Sequence, residues 1–198
     1  GSGQIQIDPD STLRLRSNIT LNNNISIDGG NGNGDGDQGR IRNDANNNTL
    51  AGNITFNNSG RIAVDGGTSL TQDTSGVVSG GGNIEKTGTG TLILQGNNTN
   101  SGDLTISEGI VRAEANNALG NNAGGTTVRN NAELQLSNSI TTPENITATG
   151  SGNSGNGARL DGFGARHSGC LRATSDGPVP KAQGPSVRIG GRSGKGDW

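Results

Sequence analysis

Every apolar stretch in this chain is short. Clusters of about three to five residues occur at 4–7, 13–16, 19–21, 25–27, 40–42, 54–56 and 61–64, and again at 83–86, 91–94, 104–106, 110–113, 126–129, 133–136 and 146–148. Each is β-branched or Leu-rich. Each is fenced by Gly, Asn, Asp or Ser, residues that tolerate tight turns and left-handed backbone. No window sustains a 3.6-residue apolar period. The nearest, Ala113–Leu119, is broken by Asn116-Asn117 and reads as a turn or a single helical turn. A chain of this kind has to build its core from many narrow strands.

The composition alone would suggest disorder, with 37 Gly and 27 Asn in 198 residues. Against that stand thirty Ile, Leu and Val side chains spread evenly through residues 1–156. A two-layer domain would draw on longer apolar runs and on aromatics. Here the aromatics are Phe56, Phe163 and Trp198. A net charge of −2, with no basic stripe and no aromatic platform, argues against nucleic acid as a partner. No apolar run approaches the length of a membrane span. The start, Gly1-Ser2-Gly3, lacks the basic and apolar regions of a signal peptide, so a secreted protein would be represented here by an internal or processed piece. A single cysteine, Cys170, allows no internal disulfide.

The segments recur. Asn48-Thr49-Leu50-Ala51-Gly52-Asn53-Ile54-Thr55-Phe56 returns fifty residues later as Asn98-Thr99-Asn100-Ser101-Gly102-Asp103-Leu104-Thr105-Ile106. A Gly (Gly60, Gly109) and a second strand follow each copy. In a second recurrence, Asn24-Ile25-Ser26-Ile27 leads into the Gly/Asn/Asp run 29–39, and Asn145-Ile146-Thr147-Ala148 into 150–157. One strand–turn–strand unit cannot bury its own aliphatic face. Stacked coils can, because each backbone pairs with the next rung and Ile lies on Ile. Asn at the corners can adopt left-handed backbone and bond along the stack. The expected fold is all-β: a right-handed parallel β-helix, or solenoid, over residues 1–156.

The sharpest stretch lies between Gly80 and Gly120. Lys86, Thr87, Gly88, Gly90, Thr91, Leu92, Leu94, Gly96, Thr99, Gly102, Thr105 and Gly109 follow the frame Lys-Thr-Gly-x-Gly-Thr-Leu-x-Leu-x-Gly, Asn-Thr, Gly-x-[Leu/Thr]-Thr-[Ile/Val]-x-x-Gly. This resembles the passenger-associated transport repeat of bacterial autotransporters, at about residues 82–113. The resemblance implies a structural, adhesin-like passenger segment at the outer surface of a Gram-negative bacterium. It implies export through a C-terminal outer-membrane β-barrel, and a repeat that supports secretion and folding. Host-surface or neighbouring-cell adhesins or glycans are the partners it suggests, with no cofactor.

The pattern stops after Asn156. Residues 157–198 hold no Asn, five of the twelve Arg, three of the five Pro and the sole His, with a net charge of +4 against −6 for the body. This tail is expected to be poorly ordered or a non-native, out-of-frame ending.

No catalytic, cofactor-binding or metal residue is assigned. Two other readings stay open: a β-helix polysaccharide-degrading enzyme and a calcium-binding repeat protein. The acids such an enzyme would group, Asp28, Asp65, Asp73, Glu85, Asp103 and Glu108, are scattered without a motif. Gly29–Asp37 is similar to a calcium nonapeptide, but its Asp comes one residue late and it occurs once. His167 and Cys170 are too few for a zinc site. Sequons at Asn18, Asn24, Asn47, Asn53, Asn57, Asn97 and Asn145 are expected from composition in an Asn/Thr-rich chain.

Overall fold

In the computed structural model the apolar clusters become parallel strands stacked rung on rung. The structure describes residues 3–29, 40–142 and 144–150, and the backbone of strands at 159–161, 166–167 and 171–174. The first coil runs β1 (Ile5–Ile7), β2 (Leu13–Leu15), β3 (Thr20–Leu21). The second is β4 (Ile25–Ile27), β5 (Ile41–Asn43), β6 (Asn47–Leu50). The third is β7 (Ile54–Phe56), β8 (Gly60–Val64), β9 (Ser69–Gln72), and the fourth β10 (Val78–Gly80), β11 (Ile84–Thr87), β12 (Thr91–Leu94). Above these stand β13 (Leu104–Ile106) with β14 (Gly109–Ala113), β15 (Gly125–Val128) with β16 (Ala132–Leu136), and β17 (Thr141–Thr142) with β18 (Asn145–Thr149). The result is a parallel β-solenoid of about six turns.

Three sheets form its faces. Sheet S1 is β1-β4-β7-β10. Sheet S2 is β2-β5-β8-β11-β13-β15-β18, extended by β21 (Leu171–Thr174). Sheet S3 is β3-β6-β9-β12-β14-β16, extended by β19 (Arg159–Asp161). A small fourth sheet pairs β17 with β20 (Arg166–His167). Of the tail, these three strands alone are described. The expectation about its order and origin otherwise lies outside the described residues, as does that for Gly30–Gly39.

The core is a set of aliphatic ladders. On S1, Ile5, Ile25, Ile54 and Val78 lie one above another. On S3, the row Leu70–Leu92–Val111–Leu134 is continuous and fully buried. Period-2 alternation turns the intervening residues outward, so each of the second, third and fourth coils fills its interior with about four Ile, Leu or Val side chains and large aromatics have little room. Phe56 is the exception. It is buried, and Gly60 stands against its ring.

Corners are held in two ways. Gly82, Gly102 and Gly124 precede β11, β13 and β15, and each lies against the backbone carbonyl of the coil beneath. At the neighbouring position a side-chain oxygen accepts the backbone N–H stacked above it: Ser59 from Asn83, Asn83 from Asp103, Asp103 from Gly125. Asn24 accepts from Asn53 and Asn53 from Val77 at another corner, and Asn18 from Asn47 and Asn47 from Ser69 at a third. Four of the sequon asparagines therefore serve as rungs. Left-handed backbone occurs at Asn18, Asn46, Asn131 and Asn138.

The fifty-residue recurrence does not mark equivalent positions. Ile54–Phe56 lies on S1, but its later copy Leu104–Ile106 lies on S2. One turn of the coil takes 20 residues from Ile84 to Leu104 and 29 from Ile25 to Ile54. What repeats in the sequence is a glycine corner and the strand that follows it, not a position around the coil. The turn expected near 116–119 is present, and no helix occurs among the described residues.

Candidate functional site

The stretch 84–113 sits where the cross-section changes. β10 is the last strand of S1. Above it the chain from Gln95 to Asp103 crosses without a strand, and Thr99 and Ser101 donate their N–H groups to Val78 and Gly80. Two buried amides compensate for the missing ladder. Gln72 replaces an aliphatic rung in the S3 row Leu50–Gln72–Leu94. Its Nε2 donates to the carbonyls of Asp73 and Gly76, and its Oε1 accepts from Gly96 N–H. Asn98 accepts Val78 N–H at 2.8 Å on Oδ1, and its Nδ2 donates to Ala118 O at 2.7 Å and to Gln72 Oε1 at 3.3 Å. These two side chains tie together the third, fourth and fifth coils.

Lys86 also replaces an aliphatic rung. The S2 row reads Ile41–Ile62–Lys86–Ile106–Val128. Lys86 is 0 % exposed. Its Nζ donates to the carbonyls of Thr87 at 2.8 Å, Gly88 at 2.7 Å and Glu108 at 3.1 Å, the last from the next coil. In return Gly88 N–H donates to Glu108 Oε2. Burial draws the ammonium down to about 7, and the negative charge of Glu108 opposes that. Gly88 has φ +74° and Gly109 φ +69°, both left-handed, and a Cβ at Gly109 would strike the carbonyls of Gly88 and Gly90.

A third polar intrusion lies two coils on. Thr126 occupies the row Leu104–Thr126–Ile146, and its hydroxyl donates to Glu144 Oε2 at 2.8 Å. Burial pushes the Glu144 carboxyl up to about 7, against the Thr126 hydrogen bond and with the charge of Asp103. The folded chain thus holds this proton more tightly than the unfolded chain. The contribution to stability is complete below pH 4.5 and is lost as pH rises to about 7. Glu144→Gln keeps the shape and the acceptor for Thr126. It should raise stability on the order of 2–3 kcal/mol at pH 8 and leave it unchanged at pH 4, as measured by urea unfolding.

The six scattered acids each have partners of their own, and the structure brings two of them, Glu85 and Glu108, to one groove. Asp28 accepts from Gln6 and Asn57, Asp65 pairs with Arg42, Asp73 accepts from Ser75, and Asp103 from Gly125 N–H. Burial pushes Glu85 up, but Ser107 and Arg61 outweigh it and hold the carboxyl below its ordinary value. Glu108 belongs to the Lys86 corner. No cluster of three metal-ligating side chains occurs among the described residues. Side chains of His167 and Cys170 lie outside them. On the outer surface, an open groove runs across these coils, lined by Arg61, Glu85, Thr87, Ser107, Glu108, Arg129, Asn130 and Asn131. Two cations, two carboxylates, the Ser107 hydroxyl and the amides of Asn130 and Asn131 line it, while the Thr87 hydroxyl is buried.

The family described as passenger-associated-transport-repeat matches residues 84–113. The matched segment starts at the first residue of β11 and ends at the last of β14, so it covers the Lys86 corner and the crossing of Asn98. No curated protein and no solved structure matches the chain. The molecule is a parallel β-solenoid that carries an autotransporter passenger repeat. Sequence reasoning singled out Lys86 as a motif residue, but not its inward position. Asn98 stood out as the start of the second copy of the recurring segment, but not as a buried tie between coils, and Gln72 and Glu144 gave no signal beyond being polar residues beside short apolar ones.

Proposed function

We propose that this chain is a structural, adhesin-like passenger segment of a bacterial autotransporter, displayed at the outer surface of the cell. The observation that carries this reading is the match of residues 84–113 to the transport repeat, on a solenoid whose coils continue on both sides of it. The repeat family implies secretion to the cell surface. A solenoid suits that route. A chain emerging in extended form can add one coil at a time, each templated by the open strand edges of the last. The repeat acts as a folding element, and an outer-membrane β-barrel is the partner that export requires. The mixed polar groove beside Glu85 and Arg129 is where glycans or surface proteins would be held, through hydroxyl and amide contacts rather than aromatic stacking.

The test places the chain between a secretion signal and an outer-membrane β-barrel in a Gram-negative host. Added protease should then cut it on intact cells, and those cells should clump or retain glycan-coated beads better than cells bearing the barrel alone. Retention of the chain inside the cell would overturn the passenger reading. Surface display without any gain in adhesion would remove the adhesin-like part.

A further inference from the structure

Buried cations in a folded chain have to be covered by something, and at Lys86 the cover comes from the next coil. Below it in the S2 row stands Ile62 and above it Ile106. Leu92, Leu94 and Val111 of S3 belong to the same core. None of these can bond an amine. The bonds come from the turn at the edge of the sheet: Thr87 O and Gly88 O from its own coil, Glu108 O from the coil that folds on top. Until residues 104–109 are in place, Ile106 and Glu108 are missing and the amine faces water.

The other charges nearby do not meet it. Arg61 on β8 and Glu85 on β11 bond to each other on the outer face, and Arg112 on β14 bonds Gln135 outside. β12 and β13 carry no charged residue. Glu108 is the charged group that faces Lys86, and its carboxylate is also held by Gly88 N–H.

We propose that Lys86 makes the docking of the fifth coil onto the fourth a proton-linked step, so that residues 104–113 close over the amine as one unit and the repeat behaves as a pH-sensitive checkpoint in coil-by-coil folding. The direction follows from burial. An amine in water holds its proton up to about 10.5, whereas the covered amine holds it only to about 7. The open state therefore binds more protons than the docked state between those values. Docking strengthens as pH rises through that window and is weakest below it. Below pH 7 the fold keeps a charged ammonium whose three N–H groups match the three carbonyls. Coupling of this kind operates on the chain itself, whether or not it is secreted.

Hydrogen exchange on the full chain in increasing urea, read separately for amides of 84–94 and 104–113, tests this. In the wild type the urea midpoint of 104–113 should climb between pH 7 and pH 10. In Lys86→Met, which restores the aliphatic rung and cannot titrate, it should stay flat over the same range. Identical pH profiles in the two chains would overturn the proposal. A second measurement needs no variant. Refolding in weak buffer at pH 8.5, followed with an indicator dye, should release roughly one proton per chain. Glu144 does not interfere there, being ionised in both states above about 7. Refolding without proton release would equally overturn the assignment.

Discussion

Gly102→Ala is expected to break the stack between the fourth and fifth coils. A Cβ at Gly102 would overlap the carbonyl of Gly82 and lie 2.8 Å from the amide nitrogen of Asn83. Those are backbone atoms of the rung beneath, themselves fixed by β11, so no rotamer change relieves the overlap. Strain of this kind costs typically about 1–3 kcal/mol and occasionally more, and with backbone on both sides of the contact the upper end is expected here. Gly81→Ala is the matched control. Its Cβ would meet only Ser101 Oγ, at an ordinary 3.8 Å, and stability should change by less than about 0.5 kcal/mol. Urea unfolding of the two variants side by side checks the contrast. Comparable losses in both would mean that the glycines matter for chain flexibility, not for close approach.

Asn98→Ala should be comparably damaging, for a different reason. It removes the acceptor for Val78 N–H and the donor to Ala118 O, and leaves Gln72 Oε1 with one bond fewer. Asn98 is 2 % exposed, so water does not readily replace it. Two orphaned backbone groups at roughly 1–3 kcal/mol each predict a loss of about 2–6 kcal/mol. The damage should be local. Hydrogen exchange should rise first at Val78 and Gly96, the two amides whose N–H groups this network accepts, and last in β4 and β5. Uniform loss of protection along the solenoid would show that the amide pair does not act as the local tie described here.

Alternation made much of the fold readable. Ile5-Gln6-Ile7 and Ile25-Ser26-Ile27 present two aliphatics to one side, and both become S1 strands with those residues in register. Every apolar cluster named from the sequence forms a strand, with bounds that differ by a residue. Before residue 157 the strands that escaped notice are β6, β9, β10 and β17, and β19, β20 and β21 lie in the tail, where none was expected. In β6 and β9 one of the two inward positions is an amide, Asn48 or Gln72, so a buried strand reads as a polar loop. Both amides bond corner backbone groups, which a sequence reader has no means of locating without the coil's path.

The short apolar clusters and their glycine and asparagine fences determined the class. Segments that narrow bury their side chains only by stacking, and no helix can use that spacing. The motif from Lys86 to Gly109 likewise determined the repeat family by itself. Only the tertiary structure decided which sheet each strand joins, because local turn grammar is the same at every corner, and like-sounding segments at 54–56 and 104–106 went to different faces. It alone decided that Lys86, Gln72 and Thr126 point inward. A polar side chain enters an aliphatic row only where the neighbouring coils leave backbone groups for it to bond, and those groups come together only when the chain has wound around to meet itself.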